Sequence, residues 1–311
     1  MEENNGLQVV EEALARLAIL EDVGTEDLTA HVVAESSRAV AVIHARQEGV
    51  LSGLGVAMEV FRAIDSSIDL EPLLDPGSRF VPGTPVLRAR GPTRSLLTAE
   101  RSALNFLQHL SGVATMTARF VELVAAAGSG TRITDTRKTI PGLRLLEKEA
   151  VLHGGGVNHR LGLYDAVMIK DNHIDMAGGI TQAVEAVRAA MPHVPIIVEA
   201  RCLAEAEEAA RLAVGRILLD NMTPEEVVRC VGVIRGIASR FSPFSEEEAA
   251  TRWIGDTWRT GDSLVQIEVS GRITLANAPQ YAIDGVDFLA VGQITHSAPA
   301  CDLNMDLRVA P

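Results

Sequence analysis

Residues 196–239, IIVEARCLAEAEEAARLAVGRILLDNMTPEEVVRCVGVIRGIAS, alternate short apolar runs with longer amphipathic segments. Ile196–Val198 and Ile217–Leu219 are continuously apolar, which is typical of strands buried on both faces of a parallel sheet. Ala204–Val214 and Pro224–Ser239 repeat their apolar residues at helical spacing. The stretch therefore predicts two consecutive βα units.

The same alternation extends in both directions from about residue 130. Further strand-like runs are predicted at Arg132–Asp135, Ala166–Ile169, Val265–Ile267 and Phe288–Val291, and further helices at Gly179–Met191 and Leu275–Asp284. Six βα units in this length favour a barrel over an open sheet.

The first 115 or so residues have a different pattern, which predicts mixed α and β structure. Short strands are expected at Ala39–Ala45, Leu51–Ser52 and Val86–Ala89, turns at Asp75-Pro76-Gly77 and Val81-Pro82-Gly83, and a helix that begins near Thr98. We therefore predict an N-terminal α/β domain over residues 1–114 and a barrel domain over residues 115–296. The join lies near Gly112–Thr117, and the tail 297–311 is expected to pack on the first domain.

Composition limits the classes of function. The 311 residues are 47% hydrophobic and 22% charged, and the net charge of −13 argues against a nucleic acid or an anionic membrane as partner. No apolar run approaches the ~20 residues of a membrane span. The acidic N-terminus has no signal-peptide core, so we expect a cytoplasmic protein. Three cysteines lie far apart in no metal or redox spacing, which predicts buried free thiols.

Charge is distributed unevenly along the chain. From Arg132 to His173 there are seven Lys/Arg against five Asp/Glu, together with three of the eight histidines. A basic, histidine-rich stretch in an acidic protein suggests a pocket for an anionic small molecule. A solvated charged face would give the same counts.

Polar residues recur where the predicted strands end. In a βα barrel those ends converge on one face, where active sites lie. The residues that follow the six strands in chain order are Thr136-Arg137-Lys138, Lys170-Asp171-Asn172-His173, Glu199, Asp220-Asn221, Glu268 with Ser270-Gly271, and Gly292.

The signs of these charges suggest a ligand. One group is cationic and suits carboxylates and phosphates: Arg137, Lys138, His159, Arg160 and Lys170. Glu199 and Asp220 suit Mg²⁺ or ribose hydroxyls. Ser270, Gly271 and Gly292 offer backbone N–H groups to a phosphate, as late barrel loops often do. A phosphorylated sugar with Mg²⁺ and a carboxylated partner would use all three groups.

Longer motifs carry a specific resemblance. The stretch DTRKTIPGLRLLEKEAVLHGGGVNHRLGLYDAVMIKDNHI (135–174) resembles the signature of the quinolinate phosphoribosyltransferase (decarboxylating nicotinate-nucleotide pyrophosphorylase) family. Four other stretches are similar to the same family: EDVGTEDLTA (21–30), LLTAERSALNFLQHLSGVAT (96–115), ILLDNMTPEE (217–226) and GVDFLAVGQITHSAPACDL (285–303).

The resemblance implies an α/β N-terminal domain, an incomplete barrel of the type II phosphoribosyltransferase kind, and at least a homodimer. It implies that the site binds quinolinate and phosphoribosyl pyrophosphate with Mg²⁺ and forms nicotinate mononucleotide, pyrophosphate and CO₂ for NAD biosynthesis. Binding of the pyridine dicarboxylate falls to Arg137, His159, Arg160 and Lys170, with Arg101 from the other subunit. The resemblance assigns the pyrophosphate side to Lys138 and Lys170, the ribose and metal to Glu199 and Asp220, and the 5′-phosphate to Ser270, Gly271 and Gly292. Of these, Lys138, Lys170, Glu199 and Asp220 are the expected catalytic residues.

The chain departs from the family pattern in four places. Arg201 stands where a second acid is usual, Arg272 completes Ser-Gly-Arg instead of Ser-Gly-Gly, and Gln293 replaces a small residue. The connection over 241–262, which holds both tryptophans, is longer than expected; it is either a surface excursion or a lid or interface element. Arg201 and Arg272 would recruit an additional anion, pair with acidic neighbours, or obstruct phosphoribosyl pyrophosphate.

Three alternatives stay open from sequence. One is a phosphoribosyltransferase for another aromatic acid, which the two arginines favour. Another is a non-catalytic relative that binds an anion, which would not need Glu199, Asp220 and Lys170. The third is a Schiff-base aldolase that uses Lys170.

Overall fold

The computed structural model describes residues 2–238 and 265–309. The chain forms two compact units, one of Met1–Ala118, Ile140–Gly155 and Ser297–Pro311, the other of Arg119–Thr139 and Gly156–His296. The predicted division placed all of 115–296 in the barrel domain, whereas the structure groups 115–118 and 140–155 with the first unit. The excursion over 241–262, with Trp253 and Trp258, lies outside the described residues.

The first unit is built on an antiparallel sheet. Within the described residues it has four strands, in the order β12-β1-β5-β3, and a separate pair of short strands, β2 and β4. These strands are β1 (Arg38–Ala45), β2 (Gly49–Val50), β3 (Asp69–Pro72), β4 (Arg79–Phe80), β5 (Pro85–Pro92) and β12 (Leu303–Val309). Along β1 every second residue is buried, so one face of this sheet packs on the core of the unit.

Helices complete this unit. They are α1 (Glu2–Val23), a 3₁₀ turn (Leu28–Val32), α2 (Leu54–Ile64), α3 (Thr93–Ala126) and α4 (Arg144–His153). Of α3, the residues up to Ala118 belong to this unit. The two predicted turns are confirmed, because Ser78 N–H donates to Asp75 O at 3.1 Å and Thr84 N–H donates to Val81 O at 3.0 Å.

Two sequence expectations for this region were wrong. The helix near Thr98 starts at Thr93 and continues through the predicted join at Gly112–Thr117. No proline interrupts it, and Gly112 is needed for close approach: a Cβ there would lie 2.2 Å from the carbonyl oxygen of Pro299. Leu51–Ser52 is buried but is not a strand, because Ser52 N–H donates to the hydroxyl of Ser111 (3.1 Å) instead of to a strand.

The second unit contains a parallel sheet. In the described ranges it has six strands in the order β6-β11-β10-β9-β8-β7, and every neighbouring pair is parallel. The strands are β6 (Arg132–Thr134), β7 (Val167–Ile169), β8 (Ile196–Ala200), β9 (Arg216–Asp220), β10 (Gln266–Ser270) and β11 (Phe288–Ala290). All six predicted strands are present, and the fold is the predicted α/β class with an incomplete barrel.

Helices connect these strands, as the βα pattern predicted. The connecting helices of the described chain are α5 (Asp171–Ala177), α6 (Ile180–Ala190), α7 (Leu203–Arg211), α8 (Pro224–Ala238), α9 (Ala278–Tyr281) and α10 (Gln293–His296). Helix α9 is much shorter than the predicted Leu275–Asp284, because the side chain of Asn277 closes a turn by accepting from Thr274 N–H at 2.7 Å.

Two further expectations concern the cysteines and the membrane. Cys230 and Cys301 are buried free thiols, as predicted, whereas Cys202 is exposed. In the part of the chain that the structure describes, no helix has the length and apolar character needed to cross a membrane.

Candidate active site

A pocket of about 490 Å³ lies in the second unit, where the parallel strands end. Nine of the eleven predicted substrate-binding residues line it: Arg137, Lys138, His159, Arg160, Lys170, Glu199, Asp220, Ser270 and Gly271. The structure thus brings together side chains that are up to 134 positions apart in the sequence, as their common place after parallel strands predicted.

Edge strand β6 supplies the first cations. Thr136, Arg137 and Lys138 follow the strand and line the pocket, and the backbone there is fixed because Thr295 Oγ1 donates to Lys138 O at 2.8 Å. Gly292 does not line the pocket itself; a Cβ at that position would lie 3.1 Å from Lys138 Cδ. Gly292 therefore leaves room for the stem of the lysine.

The next cation is Arg160. An isolated parallel bridge joins Val157 to Thr134, next to β6, and Asp135 Oδ1 accepts from His159 N–H at 2.7 Å. Arg160 is buried and donates to Ala166 O at 2.8 Å. Burial lowers the pKa of its guanidinium, and the nearby charge of Arg137 lowers it further. Two arginines held this close favour an anion between them.

The ring of His159 is positioned by the protein itself. Its Nδ1 accepts from Arg160 N–H at 2.7 Å, and its Nε2 lies 3.2 Å from Glu268 Oε2. These two contacts fix the orientation of the ring in the lining of the pocket. The role of His159 in binding a ligand stays a prediction.

Sequence reasoning did not select Glu268 as a site residue. It lines the pocket, is fully buried, and accepts from Arg216 Nη1 at 2.8 Å. Burial raises the pKa of Glu268, but His159 and Arg216 outweigh that effect and lower it to about 2. Arg216 also stacks on the ring of Phe288, at 4.2 Å from the centroid. The available signal was the place of Glu268 directly after the apolar run Val265–Ile267, among the polar residues that recur at the strand ends.

The central strands carry the acidic residues. Lys170 follows β7 and Glu199 lies on the neighbouring β8, so Lys170 Nζ donates to Glu199 Oε2 at 2.9 Å. Asp220 ends β9 and accepts from the side-chain amide of Asn221 at 2.6 Å. In the described residues no cluster of three or more His, Cys, Asp or Glu side chains could hold a metal ion without other ligands.

The two unusual arginines have different surroundings. Arg272 follows Ser270 and Gly271 at the end of β10 and lines the pocket. Arg201 follows β8, is not among the described residues that line the pocket, and binds Glu205 through Nη2–Oε1 at 2.7 Å. The sequence left three roles open for Arg201, and the structure shows one of them, pairing with an acidic neighbour.

Comparison with known families decides the assignment. Residues 27–111 match the model of the quinolinate phosphoribosyl transferase N-terminal domain, and residues 113–306 match that of the C-terminal domain. The chain belongs to the quinolinate phosphoribosyltransferase family.

Relatives in this family match over almost the whole chain. A probable nicotinate-nucleotide pyrophosphorylase [carboxylating] of Synechocystis is 39% identical over 290 residues, which cover 93% of this chain and 90% of the relative. The solved structure of the nicotinate-nucleotide pyrophosphorylase of Francisella tularensis has a TM-score of 0.85 and 34% identity, with 97% of each chain covered. That of NadC from Streptococcus pyogenes has a TM-score of 0.83 and 37% identity, with 96% of each chain covered.

One residue implied by the quinolinate phosphoribosyltransferase resemblance lies elsewhere. Arg101 is on the exposed side of α3 in the first unit. Its expected place is in the pocket of a second subunit, so its role stays a prediction, as do the individual roles of the pocket residues.

Proposed function

We propose that this chain transfers the phosphoribosyl group of phosphoribosyl pyrophosphate to the ring nitrogen of quinolinate and removes the 2-carboxylate as CO₂. The observation that carries the proposal is the placement of Arg137, Lys138 and Arg160 in one pocket with Glu199 and Asp220. Such a pocket suits an acid with two carboxylates and a sugar with phosphates. The 34–40% identity to curated nicotinate-nucleotide pyrophosphorylases supports the same reaction.

The edge-strand cations would bind the diacid. Arg137 and Arg160 offer planar groups that pair bidentately with carboxylates. Arg137 Nε is buried and has no hydrogen-bond partner among the described residues, which is a cost that a bound carboxylate would remove. Lys138 and Lys170 are exposed and would face the pyrophosphate.

The central-strand carboxylates would act at the sugar. Displacement at the anomeric carbon passes through a state with positive charge on the ribose, which Glu199 and Asp220 can stabilise. The bond from that carbon to pyrophosphate breaks as its bond to the ring nitrogen forms. Ribosylation makes the ring nitrogen cationic, so the ring accepts the electrons left by CO₂, and the ring carbon then takes up a proton. The substrate is its own electron sink, and this step requires no organic cofactor.

The donor set fits Mg²⁺. This ion is commonly held by one or two carboxylates together with substrate phosphates, and Glu199 and Asp220 supply two carboxylates at neighbouring strand ends. Bound there, Mg²⁺ would neutralise charge on the pyrophosphate. Lys170 would hold Glu199 in place through their ion pair.

We also propose a homodimer in which Arg101 of each subunit completes the pocket of its partner. The exposed position of Arg101 on α3 and the family resemblance support this arrangement. It would add a third arginine to a site for a dianion.

The test is an assay of purified protein with quinolinate, phosphoribosyl pyrophosphate and Mg²⁺. Nicotinate mononucleotide and CO₂ are expected in equal amounts, with no product when either organic substrate is omitted. A folded protein that forms neither product, or forms mononucleotide without CO₂, would contradict the proposal.

A further inference from the structure

Arg272 has an unusual place among the cations of the pocket. It lines the pocket beside Ser270 and Gly271, its side chain is exposed, and no hydrogen bond or ion pair engages its guanidinium in residues 2–238 and 265–309. Arg201 follows the end of another strand, β8, and is neutralised: its Nε lies 3.0 Å from Glu205 Oε1, and its Nη2 lies 3.7 Å from Asp175 Oδ1. One of the two arginines is therefore open to a ligand.

The backbone at Arg272 is one that arginine rarely adopts. Its φ is +50°, in the left-handed region that glycine and asparagine enter more easily. The preceding Gly271 has φ +105°, and a Cβ there would lie 2.8 Å from the backbone nitrogen of Asn221. Asn277 fixes the turn by donating to Arg272 O at 3.1 Å. Strained residues at a pocket often have a function that requires their side chain.

The position of Arg272 indicates which anion it meets. In the sheet, β11 separates β10 from β6, so Arg272 starts about 10 Å, or two strand spacings, from Arg137 and Lys138. Arg272 therefore starts beside Ser270 and Gly271 and away from the cations assigned to the diacid. The backbone N–H groups at Ser270 and Gly271 suit a phosphate, so the anion nearest to Arg272 is expected to be a phosphate group.

We propose that the guanidinium of Arg272 binds the 5′-phosphate of phosphoribosyl pyrophosphate, beside Ser270 and Gly271, and so contributes to selection of that substrate. This inference rests on the proposed function for the identity of the sugar phosphate. It assigns a binding role to a side chain that the Ser-Gly-Gly pattern of the family lacks.

The test measures binding of ribose 5-phosphate and of pyrophosphate by calorimetry, because these probes separate the two ends of the substrate and need no turnover. Arg272→Gln is expected to weaken the binding of ribose 5-phosphate about 10- to 100-fold, which is the range for the loss of one hydrogen bond to a charged group. The affinity for pyrophosphate should change less than twofold. Arg201→Gln is the matched control and should bind both probes as the wild type does.

Arg272→Gly shows whether weaker binding comes from loss of the guanidinium or from loss of the folded structure. It removes the strained left-handed arginine, so the melting temperature should stay the same or rise while ribose 5-phosphate binding falls as in Arg272→Gln. In the catalytic assay both variants should raise KM for phosphoribosyl pyrophosphate and leave KM for quinolinate within twofold.

Three results would overturn the inference: wild-type affinity for ribose 5-phosphate in both Arg272 variants, a loss confined to pyrophosphate, or an equal loss in Arg201→Gln. Failure of the proposed function has a different signature, because wild-type protein would then form no mononucleotide whatever Arg272 binds.

Discussion

The edges of the parallel sheet and its centre carry opposite chemistry. Arg137, Lys138 and Arg160 lie at or beside edge strand β6, and Lys170 follows the other edge strand, β7. Central strands β8 and β9 carry Glu199 and Asp220 at or next to their last residue. The edges therefore suit the anionic groups of the substrates: Arg137 and Arg160 suit the dicarboxylate, and Lys138 and Lys170 suit the pyrophosphate. The centre suits a ribose that becomes positively charged. The ion pair of Lys170 with Glu199 connects the two regions.

Loss of that connection should have the largest effect. Lys170→Ala removes a positive charge next to the expected pyrophosphate and leaves Glu199 unpaired, so we expect kcat to fall about 10³-fold. The lysine side chain is 47% exposed, and exposed ion pairs contribute little to stability, so the melting temperature should change by only a few degrees. Near-normal turnover would contradict the assignment of Lys170.

Two substitutions should distinguish the role of the edge cations from that of the central carboxylates. Arg137→Gln removes a carboxylate-binding group, and we expect KM for quinolinate to rise about 10- to 100-fold with a smaller change in kcat. Asp220→Asn, its counterpart at the centre, should lower kcat and leave KM for quinolinate nearly unchanged. If both variants changed the same constant, the edge and the centre would not have separate roles.

The positions of the strands, and the residues that follow them, were predicted equally well at the edges and at the centre of the sheet. Continuous apolar runs and the residues after them are local signals in the sequence. The sequence predicted less well what depends on pairing across strands. The bonds of Arg216 with Glu268 and Gln266 require the register of β9 on β10, and 50 or more residues separate the partners. The orientation of the His159 ring likewise depends on Glu268, which is remote in the chain.

Tertiary packing also limited the prediction of the first unit. Helix α3 continues through the predicted join at Gly112, which packs closely on Pro299, and no local pattern reveals that contact. By contrast, the turns at Gly77 and Gly83 were predicted from proline followed by glycine, and both glycines have the positive φ that such turns require.

A subunit-mixing experiment tests whether Arg101 of one subunit completes the pocket of the other subunit. Arg101→Ala and Lys170→Ala should each be inactive alone. After exchange, half of the dimers are mixed and have one intact site of two, so roughly a quarter of wild-type activity should return. Absence of recovery after exchange is verified would argue against a shared site.

The smallest expected effect is on stability and lies in the first unit, away from the sheet edges. Burial raises the pKa of Glu11 to about 7, with further contributions from Glu149 and Glu59 that Arg62 partly offsets. The folded state thus binds this proton more tightly than the unfolded state does. Stability should fall as pH rises from about 5 to 8, by about 1–2 kcal/mol after allowance for solvent screening.

Glu11→Gln should remove most of this loss, so the variant is more stable than wild type at pH 8 and similar at pH 5. Urea unfolding at fixed protein concentration measures the difference, with exposed Glu21→Gln on the same helix as control. A wild-type unfolding free energy that is unchanged or increases over this range would contradict the account of Glu11.

The most direct test of a dicarboxylate site at the sheet edges is the ratio of kcat/KM for quinolinate to that for nicotinate, which lacks the 2-carboxylate. A site that pairs a buried cation with that carboxylate should prefer quinolinate on the order of 10⁴-fold, with one CO₂ released per mononucleotide. Comparable or greater kcat/KM for nicotinate would show that the edge cations do not select a diacid, and would contradict the central claim.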